Sequence, residues 1–356
     1  MKIKLFIIAI MSISIITSCK KNDNDATSDV SSIGKGVFVL NEGGFTVSNS
    51  SLTFYDTEMD TVCNNLFYKV NGGIIGDVAQ SLTLADDNLF IVVNNSNYIY
   101  KTDANTLKIK GNKAEGFVSP RYLFVVNDEK AYVSDIAATG LWVVNTQTMQ
   151  ITDFIEMGNT TEKMVMIGDE VFVCNWSNYY QPLTSDDSFQ VINTQSDELV
   201  GTYEVGKQPN SIVVDRNGKI WILCGGEYDY TDWTVSGAKL CRVNPNTREV
   251  EKEFDFAESS YTSPSSLCID EKGENIYFLN GDVFRFNIND LSLPTKAFAS
   301  ADGRSFYSVA VSPEGDVFVT DAKDYQSNGS VIRYSSDGEE KAVFEAGVCP
   351  QAMAFN

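Results

Sequence analysis

The chemistry open to this sequence is bounded first by a missing side chain, because the chain contains no histidine. That excludes serine–histidine–aspartate and cysteine–histidine nucleophiles. It also removes the commonest metal ligand and the proton shuttle best matched to neutral pH. What remains is oxygen chemistry. Glu42, Asp77, Asp135, Glu227 and Asp321 stand at or near the ends of apolar runs, where acids converging on one axis could hold a hard cation through oxygen ligands. No DxDxDG loop accompanies them, so a metal-dependent hydrolase is the minor reading, and neither a metal nor a cofactor is expected.

A richer constellation joins aromatic rings to amides. Segments such as "NEGGFTVSNS", "CNWSNYYQPLTSDDS", "CGGEYDYTDWTVSGA" and "DAKDYQSNG" crowd them together. The expected ligand-binding set is Phe45, Asn94, Trp176, Tyr179, Tyr180, Tyr228, Tyr230, Trp233, Tyr261 and Tyr325. Tyr and Trp offer wide rigid faces with a polar tip, and Asn, Gln and Asp supply directed hydrogen bonds. Such a surface suits a broad small molecule rich in amides or hydroxyls, or a partner protein, and it carries no catalytic residue. The same rings could instead pack the loops against one another; residue types alone leave both readings open.

Cysteines and bulk charge narrow the field further. Cys63, Cys174, Cys224, Cys241, Cys268 and Cys349 form no CxxC pair, which argues against a zinc site. Most lie in apolar runs, where cysteine acts as a small hydrophobe; Cys224 and Cys241 flank one long loop and are the pair that could bond. The formal net charge is −21. No Lys/Arg cluster lies beyond the extreme N-terminus, so neither nucleic acid nor an acidic membrane surface is an expected partner.

The elements that must position these residues are short strands. Runs of β-branched and aromatic residues alternate with Asn/Asp/Gly turns, and the pattern recurs about every forty to fifty residues. Each copy has an opening strand, a turn such as "DRNG" or "SPEG", a second strand, a variable loop, a third strand ending in "VNT", "VNP" or "FNI", and a fourth strand. Complete copies run from Gln80 to Lys110, Arg121 to Ile155, Glu162 to Val205, Asn210 to Phe256, Ser265 to Phe298 and Phe306 to Phe344. A further copy, Gly36 to Phe67, lacks its opening strand, and the last residues "PQAMAFN" have the form of the missing piece. The expected fold is all-β: a seven-bladed β-propeller over 34–356 with N- and C-terminal strands sharing one blade. Each blade buries both faces against its neighbours, so closing the circle removes exposed apolar sheet faces. Turns after the opening strands are short, whereas the loops after the second strands are long and varied. That asymmetry nominates one face for binding, since binding residues collect on loops held by a rigid scaffold.

The start of the chain reads as an address. "MKIKLFIIAIMSISIITSC" has a basic start, an apolar stretch and small residues before Cys19, the design of a secretory signal rather than a spanning helix. Its end, "ITSC", resembles the lipobox of bacterial lipoproteins. That resemblance implies a signal peptide over 1–18, an acylated Cys19 (palmitate among the expected chains), a flexible tether over 19–33 and durable anchoring in a membrane. The acid-rich "NDNDATSDVSS" resembles the export signal of lipoproteins of the Bacteroides group, which implies an outer-membrane protein facing the cell exterior.

The blade phrases "PNSIVVDRNGKIWIL" and "VNPNTREVEKEF" on such a chain resemble the YncE-like, surface-layer-type propellers. Together with the start at "GVFVLNEGGF" and the terminal strand exchange, the chain resembles the BtuG-type lipoproteins. That resemblance implies a non-enzymatic cell-surface protein that binds cobalamin (vitamin B12) or related corrinoids and passes them to a TonB-dependent outer-membrane transporter. Its alternatives are a glycan- or protein-binding surface propeller and, less simply, a metal-dependent lactonase.

Overall fold

A computed structural model describes residues 33–177, 186–260 and 262–356. The first sheet contains Gly36–Asn41, Ser51–Asp56 and Thr61–Cys63, and its fourth strand is Pro350–Phe355 from the far end of the sequence. These two ends run antiparallel, with Val37 opposite Phe355, Phe38 opposite Ala354 and Leu40 opposite Ala352. Val37, Phe38, Val39 and Leu40 are all fully buried, so this strand is covered on both faces and reads as a continuous apolar run.

Four-stranded antiparallel sheets then follow along the chain. The next is Ala79–Ala85, Asn88–Val93, Tyr98–Asp103 and Ala114–Glu115. After it come Pro120–Asn127, Lys130–Asp135, Gly140–Asn145 and Gln150–Glu156, then Met164–Ile167, Glu170–Asn175, Ser188–Asn193 and Glu198–Glu204. Pro209–Val214, Ile220–Cys224, Lys239–Val243 and Val250–Asp255 form another. Phe306–Val311, Val317–Asp321, Asn328–Tyr334 and Glu340–Val348 form the last. This is the architecture of a β-propeller.

Opening strands meet one another in succession. Pro350–Phe355 touches Ala79–Ala85, which touches Pro120–Asn127; the series continues through Met164–Ile167, Pro209–Val214, Ser265–Ile269 and Phe306–Val311 back to Pro350–Phe355. Hydroxyls stitch the seams: Ser81 Oγ donates to the Arg121 carbonyl at 2.7 Å and Thr83 Oγ1 to the Leu123 carbonyl at 2.7 Å. Apolar clusters fill the space between sheets. Trp221, Leu223 and Phe254 meet Ile276, Phe278 and Phe286 across one such seam, where each buried side chain contributes about 1.5–3 kcal/mol.

Three local features differ from the sequence reading. The copy from Ser265 to Phe298 has three strands, Ser265–Ile269, Asn275–Asn280 and Asp282–Asn287, and its fourth strand is reduced to one bridge between Val283 and Ala299. Pro294 in "LSLPTKAFAS" supplies no N–H for a ladder there. The long loop after Ile220–Cys224 is not irregular: Glu227–Asp229 and Thr234–Ser236 form a hairpin that pairs with Ser259–Ser260. Finally, Leu66–Asn71 is a short helix, closed by Gly72 in the left-handed region with φ of 69°, a backbone state that glycine adopts at little cost.

Candidate ligand-binding site

Strand ends and loops surround a cavity of ≈ 1020 Å³. Its strand wall comes from the opening strands or the residues just before them: Gln80, Arg121, Tyr122, Glu162, Lys163, Asn210, Ser266, Tyr307 and Gln351. Because these strands pack side by side, residues far apart in sequence converge. Arg121 donates from Nε and Nη2 to Glu162, at 3.0 Å and 2.9 Å, and from Nη1 to the Gln80 side-chain oxygen. The Arg121 and Glu162 side chains are only 17% and 4% exposed. Burial works against the guanidinium charge, but Glu162 outweighs it and holds the Arg121 pKa above the ordinary value. Trp176 lies over the same guanidinium, 5.4 Å from ring centroid to Cζ, within cation–π range.

A second polar pair stands nearby. Tyr307 donates its hydroxyl to Glu42 at 2.7 Å. Burial pushes the Glu42 carboxyl above its usual range, and the Tyr307 hydrogen bond and the Arg121 charge offset that only in part. Lys163 is half-buried at the cavity wall; burial lowers its pKa, against the opposing pull of Glu162. Burial also pushes the Tyr122 hydroxyl up and the Cys268 thiol up to about 12.

The loop side of the cavity is aromatic. Tyr228 and Tyr230 meet edge-on with centroids 4.8 Å apart, and Tyr228 and Trp233 at 6.1 Å. Tyr325 makes an edge contact with Tyr307 at 5.6 Å. Tyr230 is 78% exposed, so this hairpin presents ring faces rather than hiding them. Trp233 and Tyr325 both adopt positive φ, 65° and 61°. Such backbone is costly for bulky side chains and gathers at functional sites.

Over residues 35–346 the sequence matches the family described as a domain of unknown function, DUF5074. The chain belongs to this family. No curated protein matches it significantly. Among solved structures, it is similar to a quinonprotein alcohol dehydrogenase-like protein from Bacteroides thetaiotaomicron, with 17% identity, a TM-score of 0.69, and 91% of this chain and 79% of that chain covered. A protein from Lactobacillus plantarum matches with 13% identity and a TM-score of 0.62, covering 91% of this chain and 100% of that one. A streptogramin B lyase matches with 10% identity and a TM-score of 0.57, over 78% and 93% of the respective chains. At these identities the likeness concerns the propeller fold.

Within this DUF5074 domain, Trp176, Tyr228, Tyr230, Trp233 and Tyr325 from the sequence reading are brought to the one cavity. Phe45 instead projects from an exposed loop, and Asn94 donates to Ser119 Oγ and to the Pro120 carbonyl, both at 2.9 Å, outside the cavity wall. Tyr179, Tyr180, Tyr261 and Cys19 lie outside the described residues.

Four of the acids suggested for a cation have other work, Glu42 as acceptor of the Tyr307 hydroxyl; Glu227 is exposed on the loop hairpin. Asp135 accepts from the backbone N–H groups of Val118, Ser119 and Ala137 and from Trp142 Nε1, at 2.9 to 3.0 Å. Asp77 accepts from the Thr46 N–H and Asn95 Nδ2, and Asp321 from the Ser305 and Lys323 N–H groups. They pin loops, and no group of three or more metal-ligating side chains occurs among the described residues. Cys224 and Cys241 are both buried as free thiols.

The strand wall was missed by sequence reasoning, although a signal was there. Gln80, Arg121, Asn210, Tyr307 and Gln351 are each the second residue of an opening strand, and Glu162 lies two residues before one. A polar residue recurring at that place in otherwise apolar phrases marks a common axis.

Proposed function

We propose that this protein captures a small molecule in the cavity without transforming it, as a lipid-anchored binding protein of the outer cell face. The observation that carries the reading is the wall itself, where Trp176, Tyr228, Tyr230, Trp233 and Tyr325 surround amide, hydroxyl and charged groups in ≈ 1020 Å³. A mostly apolar or aromatic hollow with a few placed polar groups is the usual form of a ligand site. The scaffold in this reading is seven blades, the first closed by the two ends of the domain. The antiparallel pairing of Gly36–Asn41 with Pro350–Phe355 and the circular succession of opening strands support it.

The ligand class the reading favours is a corrinoid. Its broad ring would lie against the aromatic loops, and its amide fringe would meet Gln80, Gln208, Asn210 and Gln351. With no histidine in the chain, the cobalt would receive no imidazole, and recognition would rest on amides, rings and shape. Acylation at Cys19, the tether over 19–33 and hand-over to a TonB-dependent transporter complete the proposal. Calorimetric titration with cyanocobalamin tests it: one ligand per chain at micromolar concentration or tighter is expected. No heat and no thermal shift would reject the corrinoid, and a glycan or outer-membrane β-barrel recovered with the protein would redirect the same face to that partner.

A further inference from the structure

We propose that the cavity wall contains an anion site in which Lys163, beside the fixed guanidinium of Arg121, receives one negatively charged group carried on a broad aromatic or apolar body. The group is a phosphodiester, carboxylate or sulfonate. The inference deepens the reading of the cavity as a ligand site and rests on it.

The charge count is the starting point. Arg121, Glu162 and Lys163 are the charged residues among the described lining. Glu162 directs both oxygens at Arg121, and Glu42, outside the lining, accepts from Tyr307 and acts on Arg121, so Lys163 is the cation of the lining to which no carboxylate is bonded. Lys163 Nζ makes no hydrogen bond or ion pair with any described residue, and its recorded contact is with the Tyr122 ring, 5.5 Å from the centroid. Two lysines elsewhere in this protein behave differently. Lys101 Nζ donates to the Thr146 carbonyl at 2.9 Å, and Lys130 Nζ donates to Asp197 at 2.8 Å. Lys163 is half-buried and lines the cavity, and an ammonium there with no protein acceptor matches an oxyanion.

The surrounding charge narrows the ligand further. A chain with net charge −21 repels small free anions at long range. An anion reaches Lys163 when the rest of the molecule gains contact with the rings of Trp176, Tyr228 and Trp233. The site therefore selects large monoanions over inorganic ions.

A matched pair of fluorescent probes separates body from charge. 8-Anilinonaphthalene-1-sulfonate and N-phenyl-1-naphthylamine share one aromatic frame, and only the first carries a sulfonate. The wild-type protein is expected to bind the sulfonate about tenfold more tightly, the scale of one charge-assisted hydrogen-bonded contact. Lys163→Met should erase that preference and leave the neutral probe within about twofold. Lys163→Arg should retain the preference, and Lys272→Met, the same charge change on the exposed exterior, should not alter it. Lys163→Gln serves equally, so the comparison does not hinge on one variant folding. Sulfonate affinity unchanged in both neutral variants would overturn the anion site alone. Failure of both probes to bind the wild type would overturn the cavity as a site for aromatic ligands, and this inference with it; binding of the neutral probe alone would overturn the anion site.

Discussion

Among single residues, the wall of the cavity is held by a pairing that is expensive to break. Glu162 is nearly inaccessible and gives both oxygens to Arg121. Removing one partner of such a pair strands the other charge, at a cost of about 3 kcal/mol or more. Glu162→Ala should therefore lower the unfolding free energy by that amount, read as a lower urea midpoint at unchanged slope; a loss under about 1 kcal/mol would mean that water compensates Arg121 freely. Glu42 gives a pH signature of known sign. Burial raises its folded pKa above the ordinary 4.5, and Tyr307 and Arg121 face it. The folded state then holds the proton more tightly than the unfolded chain, so this contribution to stability is full below the ordinary value and is lost as pH rises through the raised one. Glu42→Gln, which still accepts from Tyr307, removes that slope. Thermal unfolding should show the variant gaining on wild type from about pH 4.5 toward neutrality, and parallel pH profiles would contradict the assignment. Tyr228, Tyr230 and Trp233 could be grouped from the sequence because they are neighbours there. Arg121 and Glu162 stand forty-one residues apart in different repeats, and only the packing of opening strands makes them a pair.

Between strands, the recurring "VNT" and "VNP" phrases acquire a cause. Asn145 Oδ1 accepts from the Gln147 and Thr148 N–H groups, Asn193 from Gln195 and Ser196, and Asn244 from Asn246. Each side chain folds the backbone into the turn that joins third and fourth strands. Each turn ends on a residue of positive φ: Met149 at 57°, Asp197 at 56° and Arg248 at 67°. Glycine would relieve the backbone there, yet each side chain has a task beyond its own turn. Met149 is buried in a core cluster, Arg248 pairs with Glu170, and Asp197 accepts from Lys130 Nζ and the Tyr132 hydroxyl of the preceding sheet. The strain is kept because it aims a connector between blades. Asp197→Gly gains about 1 kcal/mol of backbone relief and loses charge-assisted bonds of about 1.5–3 kcal/mol each. A net loss of about 2–5 kcal/mol is expected in denaturant titration, whereas a more stable variant would show that the connector contributes nothing. The sequence displayed the Asn of these turns plainly. It did not display the connector, whose identity changes from copy to copy, nor the loss of the fourth strand after Asp282–Asn287, where an apolar "KAFAS" suggested a ladder.

For the molecule as a whole, the question is what the strand Pro350–Phe355 does for the rest. It covers Gly36–Asn41, whose residues are buried on both faces. Removing it would bare an apolar sheet edge between two neighbours and break the contact series at one point. Net folding stability is only about 5–15 kcal/mol, so a chain ending at Cys349 should lose cooperative unfolding and associate through the open edge. Truncation alone confuses lost contacts with lost closure, and a permuted chain separates them. The Asn356 N–H donates to the Gly36 carbonyl at 2.9 Å, and Asn356 Nδ2 to the Gly34 carbonyl at 2.9 Å, so a short glycine linker joins these ends without strain. New termini fit at Leu291, which is 88% exposed in the turn after Asp282–Asn287. Because short loop closure costs little, the permutant should melt within a few degrees of wild type with every contact retained. A truncated chain with wild-type melting would show that the end strand is dispensable. A permutant that fails to fold would show that the order in which the blades are made, rather than their final pairing, decides the structure.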